Sequence, residues 1–521
     1  MKYTMNGNRL WIILIFFVFI ALSTLFFVIP SVGTRVFLSP DETAAAVSAR
    51  SFGSNGTMLI SSQNHIYYPW LHPRSYVTVN NGIAPVGFLG LPMILGILLK
   101  IFGEWVLVFF VPLLVLSVIF PLWKLLDNLS RNSRLLAIFL WLTFPTVILY
   151  ANRGLFPNLP VVCLMLWSLY LIKKHKYAIT FGLAGILIGF SLAIRPIEAF
   201  WILPWVTYFV IFEMSLKKDQ RKKMLVYFFV FSLIPIILSL FASWKTYGSP
   251  LTIGYWLRDP VSEINNVSNT GNSVTFLPFG FHPRNVWFNV KNYLLGFLGL
   301  WTAFSLIGCA VWLKQKKNVW LGLISVWTIL SLVFFYGNSI YQDHVGFNVT
   351  SLGNSYLRYT LPLVPIMIAS MAYLWNWLEK NINRAKTGYS LMLVIAFFGF
   401  FGIWLSGGKD DENIFKSAVE LTRYESIKST SLALGTNAII LSDRSDKIFF
   451  PDFMVSSPMP ANDKVLEVVK NSDYPVLYFG TTASKDEIKK WNKDGLALVP
   501  LYRTENQVMY KIVEFSMSIE P

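Results

Sequence analysis

Along the first four-fifths of this chain, apolar residues run together for about twenty positions at a time, the length of a helix that crosses a bilayer, and short charged clusters separate the runs. Residues 10–30, 105–123, 135–150, 158–172, 177–194, 197–212, 225–243, 293–313, 319–337, 358–377 and 388–406 each read as a spanning helix, eleven in all. A twelfth apolar stretch, "GIAPVGFLGLPMILGILLKIFG" at residues 82–103, is broken by prolines and glycines. The pattern changes after residue 406. A helical period covers 411–432, and "NAIILSD", "YPVLYFG", "LALVPLY" and "VMYKIVEF" read as strands. Ser484 and Glu487 in "SKDEIKKW" have the spacing of a capping box and predict a helix start.

Composition agrees with this reading. The 521 residues are 54% hydrophobic, 16% aromatic and 14% charged, too apolar for a soluble protein of this length. The formal charge of +16 would suit nucleic acid, but the Lys and Arg of the membrane region cluster in short loops such as "LIKKHKY", "EMSLKKDQRKKM" and "WLKQKKNVW". That distribution marks membrane orientation and excludes nucleic acid as a partner. If 82–103 does not cross, segments 1–9, 124–134, 173–176, 213–224, 314–318 and 378–387 lie on one side and hold 19 Lys and Arg. The sequence therefore predicts a cytoplasmic N-terminus, an interfacial or re-entrant helix at 82–103 and an extracytoplasmic C-terminal region. The domains expected are a transmembrane module at 1–406 with a first outer loop at 31–104, and an extracytoplasmic α/β domain at 407–521. Cys163 and Cys309 both lie in apolar runs and imply no disulfide.

Candidate chemistry collects on the predicted outer face. Asp41 and Glu42, in "FLSPDETAAAVSAR", follow Pro40 and precede a helix-favouring run, as a helix N-terminus would. Arg153, Arg195 and Arg358 stand at the outer ends of spans, where an arginine either snorkels or binds phosphate bidentately. Glu198 follows Arg195 by three residues, the spacing of a helical ion pair. Asp343 and His344, in "YQDHVGF", form a possible acid/base or metal pair, and a polar surface loop is the favoured reading of the two. His65 and His72 flank the aromatic "IYYPWLHPR", read as an interfacial belt or a sugar platform. "SDRSD" at 442–446 reads as a solvated turn after a strand. No HExxH, CxxC pair, Walker loop or GxSxG occurs, so zinc hydrolysis, nucleotide binding and serine hydrolysis lack a motif.

One anchor, a long outer loop opening on "SPDETAAAVSAR", a Pro-containing surface segment and an outer C-terminal domain together resemble the GT-C glycosyltransferases that use polyprenyl-phosphate sugars. The relatives of protein O-mannosyltransferases and lipid A aminoarabinose transferases are the nearest in pattern. "AIRPIEA" and "YLRYTLPLVPIMIA" are weaker echoes. The chain departs from that group in placing Ala84 before Pro85 and Asn158 where many members have Asp, and it lacks the Trp-Trp-Asp signature of oligosaccharyltransferases. The resemblance implies an inverting hexosyl or pentosyl transfer at the cell envelope, without a cofactor or metal. The donor is a polyprenyl-phosphate sugar and the acceptor a hydroxyl of a protein, lipid or glycan. Asp41 and Glu42 would be catalytic. Arg153, Arg195, Arg358, Glu198, Asp343 and His344 would bind substrate. A multi-span transporter or flippase for lipid-linked glycan, or a non-catalytic scaffold of the same fold, are the competing readings.

Overall fold

The computed structural model describes residues 19, 36–61, 65, 67–79, 82–174, 177–213, 218–257, 280–314, 318–341, 350–381, 384–409, 412–435, 437–504 and 506–515. The predicted first span lies outside them apart from Phe19. The chain is a polytopic α-helical membrane protein with a C-terminal sheet domain. The described residues of Met1–Phe27, Glu104–Ser239 and Asp259–Ser417 form one compact unit, and those of Val28–Gly103, Leu240–Arg258 and Ala418–Pro521 another.

The first unit is built from the apolar runs. Among the described residues, Val106–Leu125, Pro196–Glu213, Gln220–Tyr247, Val319–Gly337 and Ser390–Gly408 are long and apolar enough to cross a bilayer. Two bent pairs raise the number to seven: Arg131–Thr143 with Pro145–Asn152 (48°) and Pro283–Phe297 with Gly299–Lys314 (93°). The first bend has a local cause. Phe144 precedes Pro145 and takes an extended conformation (φ −67°, ψ 124°), because the proline ring disfavours a helical residue before it. The run predicted at 358–377 is likewise split. Ser355–Tyr359 forms one short helix, and the long helix begins at Leu363. Arg358 therefore stands on its own element ahead of the span.

The second unit holds the strands β1 (Ile60–Ser61), β2 (Tyr76–Val79), β3 (Gly82–Pro85), β4 (Ile439–Leu441), β5 (Met454–Ser456), β6 (Val476–Gly480), β7 (Leu496–Arg503) and β8 (Val508–Glu514). The first three make an antiparallel sheet in the order β1-β3-β2. The others form a sheet ordered β5-β4-β6-β8-β7, with β4 parallel to β5 and β6 and the rest antiparallel. All four predicted C-terminal strands are present, and so is the Ser484–Glu487 capping box. The sequence reading missed β5, three residues being too short to show an alternation. The apolar segment at 82–103 resolves into β3 and the helix Gly90–Phe102. At 13 residues that helix is roughly 20 Å long, short of the roughly 30 Å hydrocarbon core. It packs along Pro40–Asn55 through two glycines. A Cβ at Gly53 would stand 2.8 Å from the Gly96 carbonyl oxygen, and one at Gly96 2.7 Å from that of Ala49, so the backbones touch only because both side chains are absent.

Leu71 of the first loop is fully buried among Ile439, Leu441, Val465, Val468, Val476, Leu496 and Ile512, with Tyr68 and Trp70 against the same cluster. Tyr68, Trp70 and Leu71 of the aromatic stretch thus pack on the sheet's core, while Tyr67 is exposed. Strand β4 is a switch point, with β5 on one side and β6 on the other, and the crevice beyond the carboxyl ends of such strands is where α/β sheets usually take ligands. Here the first loop occupies it. The Ser456 hydroxyl donates to the Trp70 carbonyl (3.3 Å), the Ser457 amide to that of His72 (3.3 Å), and the Arg74 guanidinium to that of Arg444 (2.7 Å). Asp446, read from sequence as part of a solvated turn, is completely buried. It accepts the Arg74 backbone amide at 3.0 Å and the guanidinium at 2.9 and 2.7 Å. Removing one partner of a buried, hydrogen-bonded pair strands the other's charge. Asp446→Ala is expected to destabilise the unit by about 3 kcal/mol, read as a lower midpoint of thermal unfolding of the full chain in detergent. Arg74→Ala is expected to cost less, because the Arg74 side chain is 23% exposed.

Candidate functional site

In the second unit, Asp41 and Glu42 form the first turn of the helix Pro40–Asn55. Ser39 is the N-cap, its hydroxyl accepting the Glu42 amide at 3.2 Å, and Pro40 supplies the fixed φ of the first helical position. The helix dipole favours negative charge there. The two carboxylates face different surroundings. Asp41 is exposed and accepts the Ser75 hydroxyl at 2.7 Å, whereas Glu42 is 2% exposed. The same turn is clamped from the C-terminal domain. Lys447 Nζ donates to the Leu38 carbonyl at 2.5 Å, and the Thr43 hydroxyl donates to the carbonyls of Ser39 (3.2 Å) and Lys447 (3.4 Å). The helix-cap reading of the acidic pair is therefore correct as local structure, and the cap leaves Asp41 open to solvent.

In the first unit the three arginines meet around two rings. Arg153 follows the helix Pro145–Asn152, Arg195 follows Ala178–Ile194, and Arg358 lies on Ser355–Tyr359. All three are buried. The guanidinium carbons of Arg153 and Arg358 stand 4.8 and 4.0 Å from the Phe156 centroid. Those of Arg195 and Arg358 stand 5.0 and 5.1 Å from the Tyr359 centroid. Each ring thus offers its negative face to two cations. Arg358 donates further to the hydroxyls of Ser355 (3.1 Å) and Tyr359 (3.3 Å). Arg195 reaches Glu198 Oε1 at 2.9 Å and the Tyr336 hydroxyl at 3.1 Å. The Tyr336 hydroxyl donates to Glu198 Oε1 at 3.0 Å, and Trp201 Nε1 donates to Glu198 Oε2. Both oxygens of Glu198 are therefore engaged by protein, and its visible role is to orient Arg195. The Tyr336 ring stacks on Tyr359 with centroids 4.5 Å apart.

Sequence reasoning missed Phe156, Tyr336 and Tyr359, which carry no signal of their own in an aromatic-rich chain. It noted Asn158 only as a departure from a family pattern. Asn158 opens the helix Asn158–Lys174 and is 3% exposed, and among the described residues neither of its amide atoms has a hydrogen-bond partner. A buried amide left in that state calls for a ligand or water. Asp343 and His344 lie outside the described residues.

His65, on the first outer loop, is buried and its Nδ1 lacks a partner among the described residues. Burial, aided by the nearby charge of His72, pulls it down to about 4. A histidine that resists protonation when folded binds more protons unfolded, so its contribution to stability is complete above pH 6.5 and fades as pH falls toward 4. The unfolding midpoint is expected to drop between pH 7 and 4.5, and His65→Gln to make that drop shallower.

No family model and no curated protein matches the chain. Among solved structures, ArnT from Cupriavidus metallidurans bound to undecaprenyl phosphate is similar with a TM-score of 0.54 at 13% identity, over 96% of this chain and 98% of that one. The Archaeoglobus fulgidus oligosaccharyltransferase gives 0.46 in its apo form, at 12% identity over 92% of this chain and 70% of that one. Its complex with zinc and sulfate gives 0.47, at 11% identity over 97% and 74%. The likeness to ArnT is one of fold: the chain has the GT-C fold, as its motifs lead one to expect.

Proposed function

We propose that this protein is a membrane glycosyltransferase that moves a sugar from a polyprenyl-phosphate donor to an acceptor hydroxyl. The observation that carries the reading is the convergence of Arg153, Arg195 and Arg358 on Phe156 and Tyr359. Three buried guanidiniums gathered on one shared pair of rings make a locus for an anion with several oxygens. A lipid-linked phosphate fits that charge, and the similarly folded ArnT was solved with undecaprenyl phosphate bound.

Roles follow from the chemistry of the transfer. Asp41 accepts the proton of the acceptor hydroxyl, whose oxygen forms a bond to the anomeric carbon as the bond from that carbon to the phosphate oxygen breaks, inverting the centre. The departing polyprenyl phosphate gains negative charge, and fixed cations lower the barrier by stabilising it. Glu42 orients an acceptor or donor group beside the base. Asp343 and His344 belong to this reading as further substrate contacts. The buried, unpartnered amide of Asn158 supports a neutral hydroxyl-bearing ligand, since it can both donate and accept.

The reading also takes the N-terminus as cytoplasmic and the C-terminal domain as extracytoplasmic. Labelling of single cysteines introduced at residues 90 and 220 is then expected to place them on opposite sides, and finding both on one side overturns that topology. Membranes holding the full chain are expected to transfer radiolabelled sugar from a polyprenyl-phosphate donor. Asp41→Asn is expected to lower that rate by about 10²–10⁴-fold. Arg358→Met is expected to lower it by about 10²-fold, the scale of a lost charge-stabilising group. An unimpaired Asp41→Asn protein overturns the base assignment. Movement of donor across the membrane without transfer supports the transporter reading instead.

A further inference from the structure

The first unit contains a second locus at the other ends of its spans. A cavity of about 340 Å³ lies among the helices Asn158–Lys174, Pro196–Glu213, Gly299–Lys314, Val319–Gly337 and Leu363–Asn381. Its walls are apolar, with Leu169, Trp205, Phe209, Trp312, Pro365 and Ile366 among them. The volume falls in the range of small-ligand sites, roughly 300–1,000 Å³. Glu198 and Glu213 stand fifteen positions apart on the same spanning segment, roughly 22 Å at helical rise. The cavity's polar end, at Lys173 and Glu213, is therefore remote from the arginine cluster.

Its polar end is a connected chain of side chains at the basic loops. Asn318 Nδ2 donates to the Tyr208 hydroxyl, which donates to Glu213 Oε1 at 3.0 Å. Lys173 Nζ lies 3.4 Å from Glu213 Oε2 and 3.9 Å from Asp127 Oδ1, and Lys174 closes on Asp127. One feature goes beyond joining helix ends. Both Lys173 separations exceed the 2.7–2.9 Å or so of a closed charge-assisted bond, so the ammonium, which donates to the Leu125 carbonyl at 3.3 Å, sits between two carboxylates without closing on either. Asn318, the one described non-glycine residue at positive φ, 41°, is the N-cap of Val319–Gly337 and joins the start of that helix to the Tyr208–Glu213 pair.

We propose that this cavity binds one phospholipid with a zwitterionic phosphoethanolamine headgroup, drawn from the leaflet at the basic-loop ends. One acyl chain fills the apolar space. The headgroup phosphate bonds to Lys173, and its ammonium to Glu213. The lining carries one cation and one carboxylate, Lys173 and Glu213, so a zwitterion satisfies both signs, and a primary ammonium can donate hydrogen bonds to the carboxylate where a quaternary one cannot. An anionic headgroup leaves the carboxylate facing negative charge.

The native thiols supply the probe. Cys309 lines the cavity and is part-exposed, whereas Cys163 is buried. In nanodiscs of phosphatidylcholine, a membrane-soluble maleimide is expected to label Cys309 of the full chain. Adding phosphatidylethanolamine is expected to slow that labelling about tenfold, a difference of about 1.4 kcal/mol in occupancy, while phosphatidylglycerol does not. A phosphatidylethanolamine with a diazirine in its acyl chain is expected to crosslink within Met165–Lys173 or Cys309–Leu313. Lys173→Ala and Glu213→Gln are each expected to weaken both signals, and Lys380→Ala, at another basic-loop end, to leave them unchanged. Equal protection by phosphatidylglycerol overturns the headgroup assignment, and stronger protection by polyprenyl phosphate gives the cavity to the carrier lipid. Crosslinks spread over outward-facing residues such as Leu393 and Phe400, with Cys309 labelling indifferent to lipid, overturn the site itself.

Discussion

A guanidinium withdrawn from water has to be compensated on the spot, and much of this structure is organised by how that is done. In the membrane unit the compensation comes from aromatic faces shared between arginines, with a carboxylate and phenol behind Arg195. Rings offset part of the lost hydration of a cation. In the second unit, Arg74 is compensated by a full carboxylate. That pair is closed and structural.

The second unit shows how far apart in sequence a cooperative structure can be assembled. The turn carrying Asp41 and Glu42 takes its cap from Ser39, next door, and its clamp from Lys447, some four hundred residues on. The hydrophobic cluster beneath the five-stranded sheet includes Leu71 as well as C-terminal residues. Loop and domain share one core, and the loop fills the crevice at β4 that such a sheet would otherwise leave for a ligand. What the sheet contributes is then support for the acidic turn.

Legibility in the sequence followed the reach of the interactions. Spans, the capped helix at Ser484 and four of the five C-terminal strands depend on near neighbours and on period, and they were readable. The arginines were readable as candidates because charge at a span's end is rare and costly. Their common rings were not, since Phe156 and Tyr359 differ in no local way from dozens of other aromatics. Asp446 was misread for the same reason: a short polar run after a strand looks like a solvated turn until its partner, 372 residues earlier, is known. Phe144 and Arg358 show a milder failure. Apolar content alone merged elements that prolines divide.

The Arg74–Asp446 pair also sets an order of events during synthesis. Arg74 leaves the ribosome long before Asp446, and in the interval the membrane spans that separate them must be made and inserted. Throughout that time the first loop lacks the carboxylate, the crevice and the core that hold it. The acidic turn thus reaches its final geometry only when nearly the whole chain has been translated, which ties completion of Asp41's surroundings to completion of the protein.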